Sequence, residues 1–312
     1  MKKILTLALS LFAVVALYAQ DLESATNTYN EAANALNAGD KESALNYFKQ
    51  ALADAEVIGP EAEELANNCK KYIPVVTFSI GKEKAANGDY EGGIALMYEA
   101  AELAEEYGQD EVKAEALDLI PQIYMQQGNL CLNNKLFDQA VENYKKVVEI
   151  KPNDGNAWLR LGQSASRIGD EAQAVEALLK ASELGQKNAA EKALNSLYVG
   201  KANACLKAKN YQEAFDNAEK SLQYADNAAA HQIAGTAAVQ LKNNGAAIEH
   251  FKAFLSLSPN AKNADQIKYQ LATSYEAVSD KENACLYYKA ILNNPQFKEY
   301  AKHKIENELK CK

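Results

Sequence analysis

The stretch "KLFDQAVENYKKVVEIKPND", residues 135–154, places Ala140, Tyr144, Val147 and Pro152 at successive gaps of four, three and five residues. The same gaps recur in "NNGAAIEHFKAFLSLSPN", residues 243–260, at Ala247, Phe251, Phe254 and Pro259. Residues four and seven positions apart share one face of an α-helix, and proline ends a helix because it lacks a backbone donor. The spacing therefore predicts a buried helix face that is used more than once.

Pairs of small residues separated by 12 positions recur through the chain, with a break between the two members. The pairs are Ala32/Ala44, Gly81/Gly93, Gly128/Ala140, Gly162/Ala174, Ala202/Ala214, Gly235/Ala247 and Ala272/Ala284. Breaks such as "NAGDKES" and "RIGDEAQ" combine a glycine, which suits the left-handed residue after a helix, with an aspartate that caps the next helix. The pattern predicts helix hairpins that approach closely at the small residues. Large residues four and seven positions after the second small residue are expected to fill the space between one hairpin and the next.

This pattern resembles the tetratricopeptide repeat family. The stretch "NAWLRLGQSASRIGDEAQAVEALLKASELG" carries the motif at Trp158, Leu161, Gly162, Ala174, Leu178 and Ala181. The stretch "YMQQGNLCLNNKLFDQAVENYKKVVEIKP" carries it at Tyr124, Gly128, Ala140, Tyr144 and Pro152. The resemblance covers about residues 21–296 as seven units. It implies an all-α, right-handed α-solenoid of about seven hairpins, with residues 297–312 as a C-terminal capping helix. An unrelated helical bundle is the structural alternative.

The first two repeat intervals are longer than the family period of about 34 residues. Their extra sequence looks helical and reaches an Ile-Pro in both cases, with Pro74 and Pro121 each seven residues before the small glycine. We expect helices extended by about three turns and kinked at proline.

Residues 1–19 have the layout of a secretory signal peptide. Lys2 and Lys3 precede an uncharged run from Ile4 to Leu17, and Ala19 stands at the expected cleavage point. A membrane anchor is the alternative, but the run is shorter than the roughly 20 residues that span a bilayer. We expect an exported chain with the repeat array at 20–296, located in the periplasm or cell envelope of a bacterium, or secreted. No stable membrane span is expected in the mature chain.

The charge balance disfavours nucleic acid as a partner. The full sequence has a formal net charge of −9, and removing residues 1–19 would lower it to −11. Phosphate binding needs clustered lysine and arginine. We therefore expect no nucleic-acid partner.

The cysteines and histidines show no catalytic or metal-binding pattern. Cys131 and Cys205 are expected as small buried residues, whereas Cys285 and Cys311 either form a disulfide, if the last helix folds back, or stay unpaired. His231 is expected as a packed core histidine. No metal-ligand spacing, nucleophile motif or glycine-rich loop after a strand is present in the sequence. We expect a non-enzymatic chain with no catalytic residue, metal or cofactor.

The family resemblance implies a concave groove, lined by the first helix of each hairpin, that binds a peptide segment of a partner protein. The candidate groove residues are Phe78, Lys82, Met125, Gln126, Asn129, Arg160, Gln163, Arg167, Asn203, Lys207, Gln232 and Tyr269. Glu276 is the acidic residue among the groove positions. Arg160 and Arg167 are the only arginines of the chain and lie seven positions apart, on one helix face.

Arginine suits bidentate recognition of a carboxylate, so a carboxylate-bearing protein or peptide segment is the expected ligand. Phe78 and Met125 stand where the family's carboxylate clamp for chaperone tails needs lysine or another polar residue, so that particular ligand is not expected. Two other functions remain open. One is a soluble glycan- or peptidoglycan-binding protein that stacks sugars on Tyr29, Phe78 or Tyr269. The other is a structural subunit that self-associates within an envelope complex.

Overall fold

A computed structural model describes residues 21–312, and all regular secondary structure in this range is helical. The predicted signal peptide, residues 1–19, lies outside the described residues. In the described range, no helix combines the length and the apolar character that crossing a membrane requires. The all-α fold of repeated helix hairpins is confirmed.

The first of two compact units ends at Pro152. In its described part, α2 to α5 each pack against the next helix in sequence, α3 also contacts α5, and α1 shares a core with α2 and α3. The helices are α1 (21–37), α2 (Lys41–Ile58), α3 (Glu63–Ala86), α4 (Tyr90–Glu106), α5 (Asp110–Asn133) and α6 (Phe137–Ile150).

The second unit begins at Asn153 and has the same organisation. Helices α7–α8, α9–α10, α11–α12 and α13–α14 form hairpins, and the first helix α9 contacts both α7 and α11. The helices are α7 (Gly155–Ile168), α8 (Glu171–Ala181), α9 (Lys187–Lys207), α10 (Tyr211–Leu222), α11 (Ala228–Gln240), α12 (Asn244–Leu257), α13 (Ala264–Ala277), α14 (Lys281–Ala290) and α15 (Lys298–His303).

At two of the predicted small-residue pairs, the two helices of a hairpin approach each other closely. A Cβ added to Gly81 would lie 3.0 Å from the carbonyl oxygen of Gly93, and one added to Gly93 would lie 2.8 Å from the carbonyl oxygen of Gly81. A Cβ on Gly162 would lie 3.1 Å from the carbonyl oxygen of Ala174 and 2.7 Å from Cγ of Leu178. The helices can therefore pack at this distance only because the side chains there are minimal.

Two other glycines make room for an aromatic ring of their own hairpin. A Cβ on Gly128 would lie 2.7 Å from the Tyr144 ring, and one on Gly235 would lie 2.6 Å from the Phe251 ring. Tyr144 and Phe251 are fully buried. The large residue four positions after the second small residue was expected between hairpins. It also packs inside its own hairpin, over the glycine.

The glycine–aspartate turns have the predicted chemistry. Gly169 ends α7 in the left-handed region with φ 84°, and the Asp170 side chain accepts a hydrogen bond from the backbone N–H of Gln173 at the start of α8. In the hairpin before it, Lys135 takes the left-handed position with φ 61°. A non-glycine residue tolerates this region only at a cost in free energy.

The lengthened first helices run through their prolines without ending. Helices α3 and α5 each have 24 residues and contain Pro74 and Pro121. Helix α9 is also long, with 21 residues, and is joined to α8 by a kinked turn at Ser182–Gln186, where Leu184 and Gly185 have non-helical backbone angles and Gly185 has φ 91°.

A polar network replaces large side chains in the hairpin α9–α10, where Ala218 and Ser221 hold the positions usually filled by bulky residues. The Asn195 amide on α9 donates to the carbonyl oxygen of Ser221 at 3.0 Å, to its hydroxyl at 2.9 Å and to the carbonyl oxygen of Ala225 at 2.8 Å. Its oxygen accepts a hydrogen bond from Asn227 at 3.0 Å. Asn195 therefore joins the end of α10 and the start of α11 to α9.

The C-terminal segment, residues 297–312, folds back on the last hairpin. Helix α15 continues into a π-helical turn at Lys304–Glu308, and Phe297, Ile305 and Leu309 pack against the core formed by α12, α13 and α14. A disulfide joins Cys285 of α14 to Cys311, with their Cα atoms 5.8 Å apart.

The remaining cysteines are unpaired. Cys69 and Cys131 are buried, as expected for small core residues of this type. Cys205 is only partly buried, and its sulfur lies 3.6 Å from the Glu213 carboxylate. The expectation that Cys205 is a core residue is therefore wrong.

Candidate functional site

Helix α7 presents three of the predicted site residues on one face. The Asp154 side chain caps its start by accepting hydrogen bonds from the backbone N–H groups of Asn156 and Ala157. Arg160 and Gln163 are partly exposed, and Arg167, in the last turn, is exposed. The opposite face is buried, which leaves this polar face of α7 open to solvent.

Neither arginine forms a hydrogen bond or salt bridge within residues 21–312. Every salt bridge in this range uses a lysine or a histidine as the cation. Seven residues along an α-helix correspond to about 10 Å, so the two guanidinium groups can contact successive parts of one extended segment. The α7 face therefore carries two cations that form no ion pair within residues 21–312, although the chain as a whole is acidic.

The neighbouring first helices extend this polar surface. Asn203 and Lys207 lie four positions apart on α9 and are exposed. Gln232 on α11 is partly exposed, and its amide oxygen accepts a hydrogen bond from Asn263 at 3.0 Å. Because α9 contacts both α7 and α11, the site residues lie on three neighbouring helices. We call them the unit 2 face: Arg160, Gln163, Arg167, Asn203, Lys207 and Gln232.

Tyr269 and Glu276 on α13 are engaged by the C-terminal segment. The Tyr269 ring stacks on Phe297, with ring centres 5.1 Å apart, and Tyr300 packs edge-on at 5.4 Å. The Glu276 carboxylate lies 2.7 Å from the Lys304 ammonium and accepts a hydrogen bond from the Tyr288 hydroxyl at 2.9 Å. The hydrogen bonds that Lys304 donates to Glu276 and Glu308 raise the pKa of Lys304. Tyr269 therefore does not present an open ring, and Glu276 is already neutralised.

In unit 1, the structure contradicts one predicted site residue. Phe78 is 8% exposed and packs in the core between α3, α4 and α5 with Ile94 and Ile120. The prediction that Phe78 contacts a partner is therefore wrong. The Lys82 ammonium lies 5.2 Å from the centre of the Phe78 ring, in cation–π contact.

The other predicted site residues of unit 1 differ in their exposure and in their hydrogen bonds. Gln126 is exposed and Met125 is partly exposed. The Asn129 side-chain oxygen accepts a hydrogen bond from the Tyr144 hydroxyl at 2.9 Å, so Asn129 helps to hold the buried tyrosine. Unit 1 contributes fewer uncommitted polar groups than unit 2.

His231 and His250 form a contact that the sequence analysis missed. Their Nδ1 atoms are 2.9 Å apart, and Nε2 of His231 lies 2.8 Å from the Asp226 carboxylate. His231 was expected as a packed core histidine, and its side chain is indeed only 14% exposed, but its partners are polar. The signal was present in the sequence, because His231 and His250 lie almost equally far from the turn between Gly235 and Ala247. The described residues contain no group of three or more histidine, cysteine or acidic side chains that could hold a metal ion.

The tetratricopeptide repeat family model matches residues 121–154 and 155–188. These ranges begin at Pro121 within α5 and run through α6, α7 and α8. Residues 121–188 therefore consist of two tetratricopeptide repeats. The first match begins in the middle of α5, so the N-terminal half of this long helix is an addition to the repeat. No curated protein sequence matches the chain significantly.

Several solved structures resemble parts of this repeat protein. The crystal structure of MamA protein is 24% identical with a TM-score of 0.39, covering 61% of this chain and 97% of that one. The crystal structure of YrrB, described as a TPR protein with an unusual peptide-binding site, is 16% identical with a TM-score of 0.36, covering 59% and 91%. MamA from Desulfovibrio magneticus RS-1 is 19% identical with a TM-score of 0.36, covering 56% and 95%. These scores are too low for the similarity to assign a function to this chain.

Tetratricopeptide repeats are protein-interaction modules of a generally non-catalytic class. The two matched repeats support a role of this chain as a protein–protein interaction scaffold.

Proposed function

We propose that this repeat protein is a non-catalytic scaffold of the bacterial periplasm or cell envelope that binds a carboxylate-bearing segment of a partner protein on the unit 2 face. The observation that carries the proposal is that Arg160 and Arg167 stand unpaired on one face of α7, while Glu276 is bonded to Lys304 and Tyr288. An arginine with no internal carboxylate is available for an external one.

Amide side chains complete the proposed recognition surface. Gln163, Asn203 and Gln232 can donate to and accept from the backbone of an extended segment, and Lys207 adds a further positive charge on α9. The hydrogen bond from Asn263 holds Gln232 in place, so part of the surface is preorganised.

Export is supported by two independent features of the chain. Residues 1–19 have the composition of a signal peptide, and Cys285 and Cys311 form a disulfide. Stable disulfides form in oxidising compartments and are rare in the cytosol. We expect the mature protein to begin at Gln20, which N-terminal sequencing of the protein recovered from an envelope fraction would show.

The glycan-binding alternative has less support. Sugar stacking needs an open aromatic face, but Phe78 is buried, Tyr269 is stacked on Phe297, and Tyr29 packs against Phe48 and Tyr72.

Site-specific photo-crosslinking tests the proposal directly. A photoreactive amino acid replaces Gln163 on the unit 2 face, and a control protein carries it at Lys252, an exposed residue of α12. We expect the Gln163 probe to capture a protein in envelope extract that the Lys252 probe does not capture. Equal capture at both positions, or none, would refute the proposed face.

Charge reversal then tests the electrostatic part with the captured partner. Arg160→Glu combined with Arg167→Glu should weaken binding at least tenfold and reduce its dependence on salt. The control combines Lys180→Glu with Lys252→Glu, which makes the same change in net charge on exposed second-helix positions. If the two double variants bind equally well, the arginines do not bind the carboxylate.

A further inference from the structure

Four titratable side chains, each in contact with the next, form a row across the hairpin α11–α12. It begins at Asp226, before α11, and passes through His231 of α11 and His250 of α12 to Glu219 of α10. The three contacts are 2.8 Å from Asp226 to Nε2 of His231, 2.9 Å between the two Nδ1 atoms, and 3.3 Å from Nε2 of His250 to Glu219.

The number of protons on these four side chains determines whether the contacts between them persist. Asp226 accepts the Nε2 proton of His231, which leaves the Nδ1 atom of neutral His231 as an acceptor. His250 must then donate its own Nδ1 proton across the 2.9 Å contact. A proton on Nε2 of His250 would face the Glu219 carboxylate. The contact between the two Nδ1 atoms needs a proton on only one of them, because two N–H groups facing each other would repel and break it.

We propose that the Nδ1–Nδ1 contact between His231 and His250 is a proton-sensitive clamp that holds α11 against α12 at neutral pH and releases it in acid. The proposal rests on these contacts and is independent of which partner the scaffold binds. Gln232 of the unit 2 face follows His231 directly in α11, so the clamp adjoins the proposed binding surface.

The surroundings of His250 set the direction of the pH response. Its side chain is 11% exposed, and the Phe215 ring of α10 packs edge-on against it, with ring centres 5.6 Å apart. Burial lowers the pKa of His250 below the ordinary value of 6.5, and His231 lowers it further, while the acidic side chains of Glu219 and Glu249 oppose the shift. The unfolded chain therefore takes up the proton more readily than the folded one. The contribution of His250 to stability is therefore fully present above pH 6.5 and is lost as the pH falls below that value.

Histidine NMR of the full mature chain tests the clamp without any variant. We expect the ring signals of the two histidines to change together as the pH is lowered, because the two rings share one contact. Ring signals that change independently of each other would overturn the proposal.

Thermal unfolding at pH 7.5 and pH 5.5 gives the second measurement. The wild-type Tm should fall by about 3 °C more than that of His250→Phe, a shift that corresponds to the loss of one such contact in a domain of this size. His303→Gln is the matched control and should keep the wild-type pH response. If His250→Phe retains the full wild-type drop, the pair is not the acid-sensitive element. If that variant does not fold, the NMR titration alone decides.

Discussion

The Tyr144 ring occupies the space that any side chain at position 128 would need, because a Cβ on Gly128 would lie 2.7 Å from the ring. Tyr144 is fully buried, and its hydroxyl donates a hydrogen bond to Asn129, the residue after this glycine. A single aromatic side chain thus fills the hairpin and also bonds to the opposite helix.

Gly128→Ala should destabilise unit 1 by about 1–3 kcal/mol, the usual cost of overpacking a filled core. The control is Gly200→Ala in α9, where an added Cβ meets nothing within 4 Å. That change should stabilise the helix by about 0.5–1 kcal/mol, since alanine is the better helix former. Urea unfolding of the two variants should give midpoints that move in opposite directions. A neutral Gly128→Ala would mean that the ring can move aside.

Asn195→Ala should lower the free energy of unfolding of unit 2 by about 2–3 kcal/mol, because it removes the hydrogen bonds that join α9 to the end of α10 and the start of α11. Asn203→Ala is the control on the same helix, since Asn203 is exposed and has no hydrogen bond in residues 21–312. We expect the control to change stability by less than about 0.5 kcal/mol. Similar effects of both variants, measured by chemical denaturation, would argue against a structural role for the Asn195 network.

Loss of the disulfide should destabilise unit 2 more than loss of a free thiol. The bond closes a loop with a sequence separation of 26, and a loop of this size is worth about 3 kcal/mol in the chain-entropy account. We expect Cys285→Ala combined with Cys311→Ala to lower the Tm clearly, and a reducing agent to have the same effect on the wild type. Cys205→Ala is the control and should leave the Tm unchanged within experimental error.

Thiol labelling should separate the unpaired cysteines by their burial. Burial raises the pKa of the Cys69 thiol to about 11, so Cys69 has little reactive thiolate at neutral pH. Cys205 is partly exposed, and burial together with its contact to Glu213 raises its pKa as well. We expect Cys205 to react first but slowly in the folded protein, with Cys69 and Cys131 reacting only after denaturant is added. Mass spectrometry of the labelled peptides would show the order, and early labelling of Cys69 would contradict the packing around it.

The hairpins and their turns follow from local sequence, and for this reason they could be predicted. The separation of 12 residues between Gly162 and Ala174 fixes the turn length, and the Gly169–Asp170 pair supplies both the left-handed residue and the cap. These features depend on residues within one hairpin, where the chain itself brings them together.

The candidate site was less predictable because it depends on contacts between helices. Helical register placed Phe78 among the groove positions, but packing between α3, α4 and α5 buries it. Register also placed Tyr269 there, without showing that the C-terminal segment stacks Phe297 on it. For Arg160 and Arg167, the sequence shows only their spacing. Only the folded structure shows that neither arginine has a hydrogen-bond or ion-pair partner within residues 21–312.

The bond between Cys285 and Cys311 bears on how unit 2 comes apart. In a stack of repeats, each hairpin is held by its neighbours, and a terminal one has a neighbour on one side only, so such arrays fray from their ends. The covalent link prevents the closing segment from leaving α14. Amide hydrogen exchange in α13 and α14 should consequently be as slow as in the middle of the unit while the link is intact, and should quicken selectively once it is reduced.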